Sequence, residues 1–310
     1  MRFNPKARVD PGQIDSRGGG GGGGLGGGGM RLPIPTGGGG KLGVGGIVVI
    51  ILFVVISMCT GNGVIPGGGS DPAAQQGSQG STSCQTGADA NQDPYNCGID
   101  LLTTSIQDYW SRAYPDQTGQ QYQQIQTVKY SGQTSSGCGT ASSAMGPFYC
   151  PNDQRVYIDT SFMQQMLEGQ LGAEGGAFAL AYVLAHEYGH HIEDQLGILG
   201  KIRTQQGAKS DSVKVELMAD CLAGSWAKSA TTTKDADGNV IIQDLTQDDI
   251  ARAIDAAQAV GDDRIQKQSS GRVNPEAWTH GSSEQRTHWF NVGLEEGTIE
   301  ACNTFAPGAL

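Results

Sequence analysis

The sequence predicts an α+β protein: a mostly helical domain with a small sheet, preceded by one transmembrane helix. Three observations carry this expectation. Residues 177–194 and 212–228 contain no proline and are rich in apolar side chains, as suits helices packed inside a domain. Short runs at 125–130 and 155–158 carry β-branched and aromatic residues, and Gly146-Pro147 and Pro151-Asn152 turns precede the second run. Residues 42–58 form an uncharged apolar stretch at the short end of what crosses a bilayer.

Taken in order, residues 1–41 hold glycine runs at 18–24, 26–29 and 37–40. Such a composition buries too little apolar surface to fold, so a disordered tail is expected. Within it stand Arg2, Lys6, Arg8, Arg17, Arg31 and Lys41 against Asp10 and Asp15, a net +4, whereas the rest of the chain carries 14 basic and 29 acidic residues. The positive-inside rule therefore makes residues 42–59 a single-pass anchor in the cell membrane, with a cytoplasmic N-terminus and an extracytoplasmic domain. A cleaved signal peptide fits the segment less well, because Ser57-Met58-Cys59-Thr60 has no small-x-small site, and Met58 argues against lipid attachment at Cys59. Residues 60–95, rich in Gly, Ser, Gln and Ala, are expected to be a flexible stalk. Residues 96–310 are long enough for one domain with a core. Its first helix, 99–113, has Leu101, Ile106, Tyr109 and Trp110 at helical spacing and should stop before Pro115. Asp237-Gly238 marks a hairpin turn. Thr246 with Asp249 caps a helix running to Val260, and Ser282 or Ser283 starts a last helix ending near Gly297.

The run His186-Glu187-Tyr188-Gly189-His190 lies inside the first buried helix. Imidazoles four positions apart project from the same side of a helix, so one metal ion can take both. Glu187 is then left to act as a base toward water on that metal, the arrangement of zinc peptidases. A catalytic zinc takes three protein ligands and keeps one position open, so a third ligand is needed. The metzincin extension is excluded because Glu193 and Leu196 occupy its Gly and His positions. The helix 212–228 offers Glu216 and Asp220, again four apart, among Leu217, Met218, Ala219, Cys221, Leu222, Ala223 and Trp226. Carboxylates in such company need partners. Glu216 is expected to complete the metal site, and Asp220 to accept from the far ring nitrogen of His186. This spacing resembles the Glu-x-x-x-Asp helix of gluzincins. His191 lies about 100° around the helix from His190 and is not expected to ligate, nor is His288.

Longer strings extend the likeness. GCGTASSAMGPFYCPNDQRVYID (137–159), AHEYGHHIED (185–194), ELMADCLAG (216–224) and the segment 261–290 resemble the bacterial putative neutral zinc metallopeptidase family, over roughly residues 100–305. That resemblance implies a zincin-like fold and Zn²⁺ as cofactor. Thr279-His280 with Arg286 is also similar to the end of the CAAX-prenyl protease catalytic domain, although Gly281 stands where that family has proline. The resemblance implies that His280 donates to the oxyanion, and that the strand at 155–158 pairs with an extended substrate.

Cys84, Cys97, Cys138, Cys150, Cys221 and Cys302 make an even set beyond Cys59. Fifteen connectivities are open. Short loops suggest 84 with 97 and 138 with 150, leaving 221 for 302, while Cys221 also suits a buried free thiol. A formal net charge of −11 with no basic patch excludes nucleic acid as a leading partner. The expected function is a membrane-anchored zinc metalloendopeptidase acting on a peptide or protein, with catalytic Glu187 and His280, metal ligands His186, His190 and Glu216, and Asp220 behind them. The rival is a catalytically silent, membrane-tethered zinc scaffold, in which a retained Glu187 has no task.

Overall fold

The computed structural model describes residues 1–17, 84–161 and 172–310. The expected anchor at 42–59 and most of the expected tail and stalk lie outside the described residues. Among the described residues, no helix is long and apolar enough to cross a membrane.

The architecture is mixed α+β, with seven helices and small sheets among the described residues. In chain order these are β1 (Arg2–Phe3), β2 (Ile14–Ser16), α1 (Gly87–Gln92), α2 (Cys97–Thr118), β3 (Gln126–Tyr130), β4 (Gln133–Ser136), β5 (Gly139–Ser142), β6 (Phe148–Cys150), β7 (Arg155–Asp159), α3 (Ala177–Gln195), α4 (Asp211–Ser229), β8 (Ile242–Asp244), α5 (Gln247–Ala259), α6 (Asp262–Ser270) and α7 (Ser283–Glu296). The main sheet has the order β2-β3-β7-β6, with β2, β3 and β7 parallel and β6 antiparallel on β7. β4 and β5 form a hairpin, and β1 pairs with β8.

Residues 1–17 correct the expectation of a disordered tail. β2 adds a parallel strand to β3, with Ile14 opposite Thr127 and Ser16 opposite Lys129. Phe3 and Ala7 are buried in the main core. The folding energy of this segment comes from partners more than 70 residues away, which local composition does not register. The expected stalk is corrected at its end for a related reason. Thr86 caps α1 through a reciprocal capping box with Asp89, and Cys84 is bonded to Cys97, so residues 84–95 belong to the folded domain.

α2 runs past Pro115 instead of stopping before it. The proline removes one backbone bond, but Tyr114 is buried and Gly119, at φ 72°, closes the helix with its N–H on the Pro115 carbonyl. α5 begins with the expected cap pair, Thr246 with Asp249, and α7 starts where expected, with Ser282 and Gln285 forming a capping box. Around Asp237-Gly238, Lys234 bridges Val240 across the expected turn. α6 was not expected. Its mostly polar sequence has little apolar spacing to betray a helix. The three disulfides join Cys84 to Cys97, Cys138 to Cys150 and Cys221 to Cys302, so Cys221 is not a free thiol.

Two close approaches set the functional geometry. A Cβ on Gly189 would stand 2.9 Å from the Ala219 Cα, so α3 and α4 touch backbone to backbone between the histidine pair and the acid pair. On the other face of α4, a Cβ on Gly224 would come 2.1 Å from the Phe290 carbonyl oxygen, and one on Gly293 would come 1.8 Å from that of Cys221. Glycine at these positions lets α7 lie directly on α4.

Candidate metal centre

The α3–α4 crossing brings His186, His190 and Glu216 together, their ligand atoms all within 4.8 Å of one another. Glu216 Oε2 is 3.3 Å from His186 Nε2, and Glu216 Oε1 is 3.7 Å from His190 Nε2. Ligands about 2 Å from one tetrahedral ion lie roughly 3.3 Å apart, so this donor set is close to the size zinc requires. The far nitrogens are both engaged. His186 Nδ1 is 2.8 Å from Asp220 Oδ1, and His190 Nδ1 is 2.8 Å from Glu193 Oε2. With Nδ1 of each ring committed to a carboxyl group, both Nε2 atoms face the common point. These residues fit a divalent zinc ion.

Electrostatics agree with the geometry. Burial alone would raise the Glu216 carboxyl, yet His280, His186 and His190 outweigh it and hold that carboxyl far below the usual range. Burial also works against a charge on His186, but Asp220 and Glu216 overcome it and lift the imidazole to about 9. Burial drives His190 the other way, to about 4.

Glu187, between the two histidines in sequence, is buried, which pushes its carboxyl up to about 7. Its Oε2 accepts the Tyr149 N–H at 2.9 Å, fastening β6 to α3 at this point. Tyr149 is pinned from its other end, where its hydroxyl donates to Asp194 Oδ2 at 2.8 Å.

Asp220 does more than meet His186. Arg286, carried on α7 and 2 % exposed, donates to both Asp220 oxygens at 2.9 Å each and to the Tyr182 hydroxyl at 3.1 Å. Tyr182 in turn donates to Asp220 Oδ1 at 2.6 Å. A buried carboxylate thus keeps its charge because a buried guanidinium faces it in a bidentate fork. Burial opposes this ionisation, but Arg286 and His186 hold Asp220 below its ordinary value.

His280 is buried in the loop before α7, close enough for its charge to act on Glu216. The loop is held by Asp262, whose Oδ2 accepts the backbone N–H groups of Thr279, His280 and Gly281 at 2.7, 2.6 and 3.0 Å. Asp262 Oδ1 lies 3.4 Å from His280 Nδ1. His191 is a core residue: its Nε2–H donates to the Gln123 carbonyl at 2.7 Å. His288 packs against Trp289 and takes no part in the centre.

The sequence reading missed Glu193 as the acceptor for His190, Tyr182 as a partner of Asp220, and Asp262 as the clamp on His280. Glu193 had a signal, since it stands one helical turn after His190. Asp262 had none, because 18 residues separate it from His280. The strand at 155–158 is corrected as a substrate edge: β7 is hydrogen-bonded to β3 on one side and β6 on the other. The sheet edge that meets the centre is β6.

The family model described as "Putative neutral zinc metallopeptidase" matches residues 1–305, and the chain belongs to that family. The chain is 46 % identical over 229 residues to Uncharacterized protein Rv2575 of Mycobacterium tuberculosis, covering 73 % of this chain and 76 % of that one. It is 40 % identical over 271 residues to Uncharacterized protein YpfJ of Escherichia coli, covering 85 % and 87 %. No solved structure matches.

Proposed function

We propose that the protein is a zincin-like zinc endopeptidase that hydrolyses peptide or protein substrates in an oxidising, extracytoplasmic compartment. The observation that carries the reading is the orientation of the centre: both histidines have Nδ1 tied to a carboxylate and Nε2 turned to Glu216, with an unligated, buried Glu187 beside them. His186, His190 and Glu216 would hold the ion. Zinc bound there would supply an acidified water and a Lewis acid for the scissile carbonyl.

The remaining steps belong to the chain's own residues. Glu187, with its carboxyl raised to about 7, is matched to taking a proton from the attacking water near neutral pH and handing it to the leaving amine. His280, on a loop braced by Asp262, is the residue we assign as donor to the oxyanion. Three disulfides support the compartment.

Zinc content and cleavage of an unbiased peptide library, with and without a chelator, test the proposal. Glu187→Gln should lower turnover by about 10²- to 10⁴-fold while one zinc per chain remains. Loss of zinc in that variant, or wild-type protein that carries zinc and cleaves nothing, would overturn it. His280→Ala should lower the catalytic rate by about 10²- to 10³-fold at unchanged zinc content.

A further inference from the structure

Residues 1–17 and residues 84–310 are built into each other. The Val9 N–H donates to the Gln85 carbonyl at 3.0 Å and the Gly87 N–H to the Ala7 carbonyl at 2.9 Å, so two segments on either side of a long connection run side by side. Asn91 bonds both the N–H and the carbonyl of Phe3, at 3.0 and 2.9 Å. A Cβ on Gly87 would stand 1.9 Å from the Asn4 carbonyl oxygen, so even the first residue of α1 is shaped to the arm. The two ends of the connection also converge. The Arg17 N–H donates to the Lys129 carbonyl at 2.8 Å. Lys129 Nζ meets Asn96 Oδ1 at 2.9 Å, beside Cys97, which is bonded to Cys84.

Charge follows the same pattern. Of the basic residues in the N-terminal flank, Arg2 pairs with Asp244 and Arg8 with Asp237 of the domain, while Arg17 pairs with Asp15 of its own segment. Part of the positive flank that suggests a cytoplasmic N-terminus is therefore complementary to the acidic domain on which it lies. Each such exposed pair adds little stability.

A single crossing by residues 42–58 would set β1 and β2 about 30 Å of hydrocarbon away from β8 and β3. It would also leave the edge of β3 unpaired and the site of Phe3 empty. We infer that residues 1–17 occupy the same compartment as residues 84–310. The N-terminal segment is then a strand of the extracytoplasmic domain, not a cytoplasmic tail.

The test uses the full chain in a Cys59→Ser background, which leaves no thiol outside the three disulfides. Arg2 and Asp244 are strand partners with exposed side chains. In Arg2→Cys with Asp244→Cys, a disulfide should form in most chains during expression. After cleavage at a protease site inserted into the 26–29 glycine run, the N-terminal fragment should stay attached until reductant is added. Lys6→Cys and Lys267→Cys, both at exposed positions, then report the compartment without requiring a new bond. A membrane-impermeant maleimide applied to intact spheroplasts should label both to similar extents, within about twofold. Labelling of Lys267→Cys with full protection of Lys6→Cys, or release of the fragment without reductant, would overturn the inference.

Discussion

Two regions at opposite edges of the main sheet are equally well built but unequally legible. At the β6 edge, the α3–α4 crossing announces itself in sequence, because His186 with His190 and Glu216 with Asp220 each obey helical spacing inside apolar runs. At the β2 edge, residues 1–17 have no such periodicity, yet Phe3 and Ala7 are as buried as the residues that carry the histidines. The difference teaches that burial and sequence pattern part company where a segment's partners are all distant. The centre draws its organisation from within two helices, whereas the arm draws its own from β3, β8 and α1.

The largest effect separates the regions by stability. Phe3→Ala should cost about 3 kcal/mol or more, because the ring is 2 % exposed in the core, while one zinc per chain is still bound by the folded protein. Chemical denaturation paired with metal analysis decides this. A change below about 0.5 kcal/mol would mean that the arm rests on the domain without belonging to it.

The converse variant strikes the centre. Asp220→Ala removes the acceptor for His186 and the partner of Arg286, and zinc affinity should fall by roughly 10- to 100-fold in a competition titration. Arg286 is then a buried cation without its fork, so some stability should be lost as well. Unchanged affinity would detach the Asp220–Arg286 pair from the metal site and sharpen the contrast between the regions.

Gly189 probes what joins the two helices. Gly189→Ala places a methyl group 2.9 to 3.1 Å from Ala219 backbone and side-chain atoms, and forcing α3 from α4 should cost about 1 to 3 kcal/mol. Zinc affinity should drop in the same variant, since the shift moves the histidines relative to Glu216. A stability loss with unaltered affinity would show that the centre tolerates the displacement.

The smallest effect is a slope. In the metal-free protein His186 holds its proton up to about 9, whereas a ligand must be neutral. Zinc binding should therefore release a proton below that pH. Affinity should rise with pH, by up to about tenfold per unit between pH 6 and 8, and level off above about 9. Calorimetry in buffers of different ionisation enthalpy counts the proton, and Phe3→Ala should leave the count unchanged.

By itself the sequence determined the two helices and which of their side chains share a face, because a helix repeats every 3.6 residues and sets His186 with His190, and Glu216 with Asp220, by spacing alone. It also determined the turn and cap residues that start α5 and α7, since capping is settled within four positions. Only the tertiary structure decided that Arg286 closes on Asp220, that Asp262 grips the His280 loop, and that Tyr149 on an edge strand holds Glu187. Those contacts join residues between 18 and 66 positions apart through close helix packing and strand pairing. The placement of residues 1–17 is the extreme case, with Arg2 paired to a residue 242 positions away. Composition describes what a segment can do alone, and this one folds only when β3 and β8 present their edges to it.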